Sequence, residues 1–401
     1  MTRHLAPLDI KNVVEILKYP VWGTRLSAIC RSPTSTPLTG VESVNNAKFK
    51  HESLLSGKIT RRPGEPKLIL LWDTFADLHL EDGSGMFHRF RCQQTRCSIT
   101  RDRSLLTESQ VVMFHMRETI TPEKLPRRPP PEVSQSWVFA MKEPPVYSEF
   151  DAAAFNGFFD WTMTYKLDSD IPWPYGGFVK RPKARKVPDY FSEKNGEVDS
   201  QLVKDRTGTL SGSVNQSISW IVSRCKSDTK REDFVADLQR HIDVAIYGRC
   251  GPLRCSRGNA SDACQHVPKH YHFYLAFENS FCPDYCTEKL YKILAIEDRP
   301  PIPIVMGGAN YSQVAPPNSV IDVGDFRNPA ELAVFLREVM ADRELYNSFH
   351  AWRKEYRVLV WGTPAAMCGL CGKAHESLPA GTVIGPREDL DVFWDKASCQ
   401  K

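Results

Sequence analysis

The chain has 401 residues, with 52 basic against 48 acidic side chains for a net charge of +4, 41% hydrophobic residues and 25% charged ones. So even a balance excludes a general nucleic-acid binder and leaves any attraction for anions to local clusters. No stretch approaches the ~18 to 20 consecutive apolar residues of a bilayer span, and the length leads us to expect two domains.

Twelve cysteines are many for a cytosolic enzyme. Several lie close together: Cys92 with Cys97, Cys250 with Cys255 and Cys264, Cys282 with Cys286, and Cys368 with Cys371. Disulfides in an oxidising compartment explain this most simply. Sequons at Asn215, Asn259 and Asn310 are compatible with a secretory location. The first 30 residues lack the charged-then-apolar order of a signal peptide, so the expectation is an N-terminal anchor that this sequence does not show.

Residues 1–65 are rich in Pro, Ser, Thr and Asn without sustained periodicity and read as a stem or poorly ordered lead-in. From Pro66 the texture changes. KLILLWD (67–73), QVVMFH (110–115), SWVFAM (136–141) and WTMTYK (161–166) are short apolar or β-rich runs, which predicts an α/β domain over 66–175 with a mainly parallel sheet. LPRRPPPE (125–132) is too poor in donors for a helix or central strand and should cross the surface. Residues 176–215, polar and rich in Lys, Pro, Gly and Ser, read as an interdomain linker.

Alternation resumes in a second α/β domain over 216–362. SISWIVS (217–223), DVAIYG (243–248), HFYLAF (272–277), PIVMGG (303–308) and SVIDV (319–323) read as strands, and KREDFVADLQRHI (230–242) as a helix. The final helix is signposted by Asn328 as N-cap, Pro329 at its first position and Glu331 three residues after the cap. Residues 363–401 read as a Cys-containing tail.

Three clusters could carry chemistry. HFYLAFENSFCPDYCTEKLYKIL (272–294) is a strand, a polar turn and the start of a helix. Free N–H groups at a helix N-terminus suit a phosphate, and Lys289 adds a mobile positive charge; a solvated strand–loop–helix connection is the plainer alternative. SWIVSRCKSDTKRE (219–232) places Arg224, Lys226, Lys230 and Arg231 at the carboxyl edge of a strand, where parallel sheets bind ligands. FAMKEPPV (139–146) ends a strand with Glu143 before two prolines that hold the backbone extended. Asp168-Ser169-Asp170 has the form of a divalent-metal site. Cys368-Gly-Leu-Cys371 allows a redox pair, or half of a zinc site with Cys92 and Cys97.

FYLAFENS followed by DYxTEKL resembles the signature of the α-1,3-fucosyltransferase family, glycosyltransferase family 10, and the resemblance extends over residues 66–372. It implies a GT-B architecture, two Rossmann-like domains facing across a cleft, with the acceptor on the first and GDP-β-L-fucose on the second. It implies an inverting transfer with Glu143 as base and Arg231 and Lys289 on the diphosphate. Asn279, Tyr285 and Glu288 would orient nucleotide or sugar, and Ser223 would contact phosphate. HMRE (115–118) resembles the family's His-x-Arg segment, expected to make architectural or acceptor-side contacts.

The resemblance also assigns Asp168-Ser169-Asp170 to a stretch that does not chelate metal. No divalent metal or other cofactor is expected to be obligatory, though a metal could stimulate. It favours disulfides tying Cys368 and Cys371 to the first domain near Cys92 and Cys97; Cys250 and Cys282 are further disulfide candidates, and Cys286 reads as a small buried thiol.

The implied acceptor is a GlcNAc of glycoprotein N-glycans, core or antennal, in the Golgi lumen. GRCGPLRC (248–255) resembles the Cys-rich segment of core-modifying invertebrate and plant relatives. Arg224, where the family often has Asn, and Cys286 keep two rivals in view: a non-catalytic carbohydrate-binding relative and a GT-B transferase with another nucleotide sugar.

Overall fold

The structure is a computed structural model that describes residues 66–73, 80–116, 121–130, 134–194, 217–255, 263–360, 362–376 and 385–399. The lead-in 1–65, Arg117 and Glu118 of HMRE, and the sequons at Asn215 and Asn259 lie outside them.

Two parallel sheets form the frame. The first holds β1 (Lys67–Leu71), β2 (Cys97–Thr100), β3 (Val111–His115), β4 (Ser136–Met141), β5 (Trp161–Thr164) and β6 (Ile171–Pro172), in the order β2-β1-β3-β4-β5-β6. Every pair in it is parallel. A parallel sheet is covered on both faces, which is why these strands read as unbroken apolar runs such as Val-Val-Met-Phe. One face packs Ile69, Met113, Val138 and Met163 on the C-terminal helix Gly362–Ala374. The other packs Leu70, Val112, Phe114, Phe139 and Met141 against Phe155, Phe159 and Trp394.

After β7 (Gly177–Lys180), the second sheet holds β8 (Ile218–Ile221), β9 (Val244–Tyr247), β10 (Phe273–Phe277), β11 (Ile302–Met306) and β12 (Ile321–Asp322), in the order β12-β11-β10-β8-β9, all parallel. Helices Arg231–Leu238 and Pro329–Ala341 cover one face through Val235, Leu238, Leu332, Leu336 and Val339. Helix Glu288–Leu294 covers the other through Leu290, Ile293 and Leu294.

The connections between the sheets depart from the sequence reading. Residues 177–194, within the stretch read as linker, contribute β7 and a helix at Tyr190–Lys194. β7 pairs antiparallel with β13 (Tyr356–Leu359), on which the chain returns toward the first sheet. The two crossings are thus hydrogen-bonded to each other. Gly176 stands at the tightest point, where a Cβ would lie 2.3 Å from the Tyr291 ring and 2.7 Å from the Leu359 carbonyl oxygen; only glycine lets the strands approach so closely.

The helix at Pro329–Ala341 is not the last. Helices Arg343–Ser348, Gly362–Ala374 and Leu390–Phe393 follow it. Its cap is as read: the Asn328 side chain accepts from the Glu331 N–H at 2.9 Å. The residues read as a tail carry the helix Gly362–Ala374, which two disulfides, Cys92–Cys368 and Cys97–Cys371, fasten to the first sheet. Cys225–Cys250, Cys255–Cys264 and Cys282–Cys399 complete the five bridges among the described residues, and Cys286 is a free buried thiol. Cys97, Cys371 and His375 cluster at metal-ligand spacing, but their two thiols are joined to each other and His375 Nε2 lies 2.8 Å from the Arg96 carbonyl.

Candidate active site

A cavity of about 860 Å³ opens at the carboxyl ends of both sheets. Strand β4 ends at Met141 and delivers Glu143; β8 ends at Ile221 and delivers Ser223 and Arg224; β10 ends at Phe277 and delivers Asn279. Arg231, the first residue of its helix, and Glu288 and Lys289, the first two of theirs, also line it. Of the seven residues singled out for catalysis or donor binding, six therefore share one wall-to-wall space. With Lys269 and Lys292 the lining carries five cations against two carboxylates, an excess suited to a multiply charged anion.

Tyr285 is the exception. It is 2% exposed and packs edge-on against Tyr165 and Tyr175, with ring centroids 5.0 and 6.2 Å away. Burial pushes its phenol well above the ordinary range, with Tyr175 and nearby carboxylates adding to the effect. It belongs to this buried tyrosine cluster and does not line the cavity.

The turn after β10 is built around a buried carboxylate. Glu278, 1% exposed, accepts from the Thr287 N–H at 2.7 Å and the Thr287 hydroxyl at 2.8 Å, and pairs with Lys289 Nζ at 2.9 Å. Thr287 caps the helix Glu288–Leu294. Glu278 thus takes the Thr287 N–H just ahead of the helix whose N-terminal N–H groups the sequence reading offered to a phosphate. Lys289 is accordingly tethered: its Nζ also donates to Thr287 Oγ1 at 2.7 Å. Burial pulls the ammonium down, but Glu278 and Glu288 outweigh it and hold its pKa above the ordinary value.

Arg231 is 4% exposed. Its Nη1 donates to the Phe277 carbonyl at 2.6 Å and its Nη2 to the Arg224 carbonyl at 3.3 Å, so this guanidinium braces the ends of β10 and β8 against each other. Burial lowers its pKa, against the pull of Glu278. Thr229 donates to the Glu278 carbonyl at 3.0 Å and joins the same brace.

The first-sheet side meets it at Tyr147. The Pro144-Pro145 pair after Glu143 leads into a single 3₁₀ turn, Pro145–Tyr147, and the Tyr147 hydroxyl donates to the Asn279 carbonyl at 2.8 Å. Arg224 lies 4.4 Å over the Tyr147 ring. Beside Glu143, the Lys142 ammonium lies 3.9 Å from the Tyr175 ring centroid and 5.1 Å from that of Trp173. Burial brings Lys142 down to about 8, in spite of Glu288 and Glu143 nearby. Sequence reading passed over Tyr147, Lys142 and the buried role of Glu278. Only the Lys-Glu-Pro-Pro-x-Tyr spacing carried any trace of the first two.

Asp168-Ser169-Asp170 is outside the cavity. Asp170 accepts from the Thr162 N–H and hydroxyl and faces Lys373 and Arg387 at 3.7 and 3.6 Å, anchoring C-terminal segments to the first sheet. Asp168 is exposed beside Lys166. Asn310 is an exposed N-cap whose side chain accepts from the Ser312 N–H at 3.2 Å. No helix among the described residues is long and apolar enough to cross a membrane.

Two parallel α/β units present their strand ends to one cation-rich cavity, the edge at which such sheets bind ligands. Residues 64–176 match the family model "Fucosyltransferase, N-terminal", and residues 212–384 match "Glycosyltransferase family 10 (fucosyltransferase) C-term". The chain is 35% identical over 330 residues to "Alpha-(1,3)-fucosyltransferase C" of Drosophila melanogaster, spanning 78% of this chain and 71% of that one. It is 32% identical over 294 residues to "Glycoprotein 3-alpha-L-fucosyltransferase A" of the same organism, spanning 72% and 53%. A human "4-galactosyl-N-acetylglucosaminide 3-alpha-L-fucosyltransferase FUT6" is 32% identical over 284 residues, spanning 70% and 71%. A solved structure, "alpha1,3-Fucosyltransferase with GDP-fucose", aligns with a TM-score of 0.45 at 13% identity, over 81% of this chain and 95% of that one. The chain belongs to glycosyltransferase family 10, the α-1,3-fucosyltransferase family, and is an enzyme of that class.

Proposed function

We propose that this enzyme transfers L-fucose from GDP-β-L-fucose, in α-1,3 linkage, to a GlcNAc of glycoprotein N-glycans, inverting the anomeric centre. The observation that carries the reading is the shared cavity: a carboxylate from the first sheet, Glu143, faces the same space as Ser223, Arg231, Asn279, Glu288 and Lys289 from the second. Single displacement requires this pairing of a base on one side with cations on the other. The acceptor hydroxyl oxygen bonds to the fucose anomeric carbon, the bond from that carbon to the diphosphate breaks, GDP leaves with the electron pair, and Glu143 takes the acceptor proton. Arg231 and Lys289 hold the charge that develops on the diphosphate, Asn279 and Glu288 orient the donor, and Ser223 meets a phosphate oxygen.

The reaction in this reading has no obligatory metal, and EDTA is expected to leave the rate within about twofold. Relatives named for glycoprotein and for galactosyl-GlcNAc acceptors both support a GlcNAc site, and five disulfides support the Golgi lumen as the working compartment. Incubation with GDP-fucose and core and antennal GlcNAc glycopeptides is the test. Transfer by the wild type and a fall of about 10²- to 10⁴-fold in Glu143→Gln are expected. No transfer by the wild type would remove the catalytic reading, and tighter binding of UDP than GDP would remove the donor.

A further inference from the structure

The cations assigned to the diphosphate are largely committed inside the protein. Arg231 gives Nη1 and Nη2 to backbone carbonyls, and Lys289 gives its ammonium to Glu278 and Thr287. An exposed guanidinium stands beside them. Arg224 lines the cavity, and its side chain meets the Tyr147 ring and hydroxyl. A guanidinium held face-on over a ring keeps in-plane N–H donors for an oxyanion.

Its backbone is held from three directions. The Arg224 carbonyl accepts from Arg231, the preceding Ser223 carbonyl accepts from Arg249 Nε at 3.1 Å, and the following Cys225 is bridged to Cys250. A side chain on so constrained a segment loses little freedom when it binds.

We propose that Arg224 is a further donor-binding residue, which clamps the diphosphate of a nucleoside diphosphate and, through Tyr147, couples donor binding to the loop that carries the base. This rests on the cavity being the nucleotide site proposed above. Tyr147 is four residues after Glu143 and hydrogen-bonds the carbonyl of Asn279, so the loop bearing the base is tied to both donor-side strand ends. Arg224 is the contact that binds; Tyr147 is the positioning residue.

The test is calorimetry of the full chain with GDP and GMP, followed by steady-state kinetics. Arg224→Ala is expected to weaken GDP at least tenfold and GMP by no more than about threefold, because the second phosphate is what the clamp reads. Arg224→Lys recovers part of the GDP affinity through its charge. Tyr147→Phe keeps the ring under Arg224, loses the hydroxyl's contact with Arg224 and its bond to Asn279, and is expected to lower kcat about tenfold with GDP affinity within twofold. Wild type binding GDP while Arg224→Ala binds it equally well would overturn the clamp and leave the proposed function standing. An equal loss of GDP and GMP affinity in Arg224→Ala would also overturn it. Unchanged kcat in Tyr147→Phe would overturn the coupling. No GDP binding by the wild type would remove the proposed nucleotide site, and the clamp with it.

Discussion

Lys142 shows how one half-buried charge bears on stability. Its ammonium sits over Tyr175 and Trp173, faces Glu288 and Glu143, and still titrates at about 8, so burial costs it more than these neighbours return. The folded value lies below the unfolded one, near 10.4; between the two the unfolded chain binds more protons, and this group makes stability rise with pH across that window. Lys142→Met keeps the stem and removes the charge. Thermal melts should show a higher Tm than wild type at pH 7, with the gain shrinking above pH 8 and gone by about pH 10.5.

At the scale of the element, the strand–turn–helix from Phe273 to Leu294 is organised by Glu278. The helix is short, seven residues, and its start is secured by Thr287 and by a carboxylate with 1% exposure rather than by solvent. Glu278→Gln retains size and acceptor capacity but strands Lys289, which should lower stability by about 2–3 kcal/mol in urea melts, less than the ~3–5 of a fully buried pair because Lys289 is partly exposed. This turn also marks how far the sequence could be read. The inner strands were legible because parallel strands buried on both faces are continuous apolar runs, whereas the edge strands β2 and β6 went unread; the Asn328 cap was legible because its partners lie within four residues. Tyr285 was not legible: a tyrosine next to a binding turn looks the same whether it faces ligand or, as here, two other tyrosines. The helix Gly362–Ala374 escaped notice because Ala366, Met367, Cys368, Leu370 and Cys371 are all buried and no polar face breaks the run into a helical period. The pairing of β7 with β13 depends on residues roughly 180 positions apart, beyond any local signal.

For the whole molecule, the decisive feature is that the chain returns to its first sheet after building the second. It builds the first sheet, crosses on β7, builds the second, returns on β13 and lays its last long helix on the first sheet under Cys92–Cys368 and Cys97–Cys371. These bridges span 276 and 274 residues and are nearly redundant as loop closures. In the chain-entropy account, closing so long a loop constrains the unfolded chain by about 5–6 kcal/mol, whereas a second bridge a few residues along closes only a small ring worth about 2–3. Removing either bridge alone, by Cys92→Ser with Cys368→Ser or by Cys97→Ser with Cys371→Ser, should therefore cost about 2–3 kcal/mol in guanidinium melts. Removing both should cost markedly more than twice that, since only then is the long closure lost. The non-additivity is the diagnostic, because two bridges acting as independent local struts would give single losses that simply sum. The site should register the same difference. The two sheets share one cavity, and the returning helix is fastened to the sheet that carries Glu143, so the quadruple variant should lose transfer activity at temperatures where each double variant still retains it.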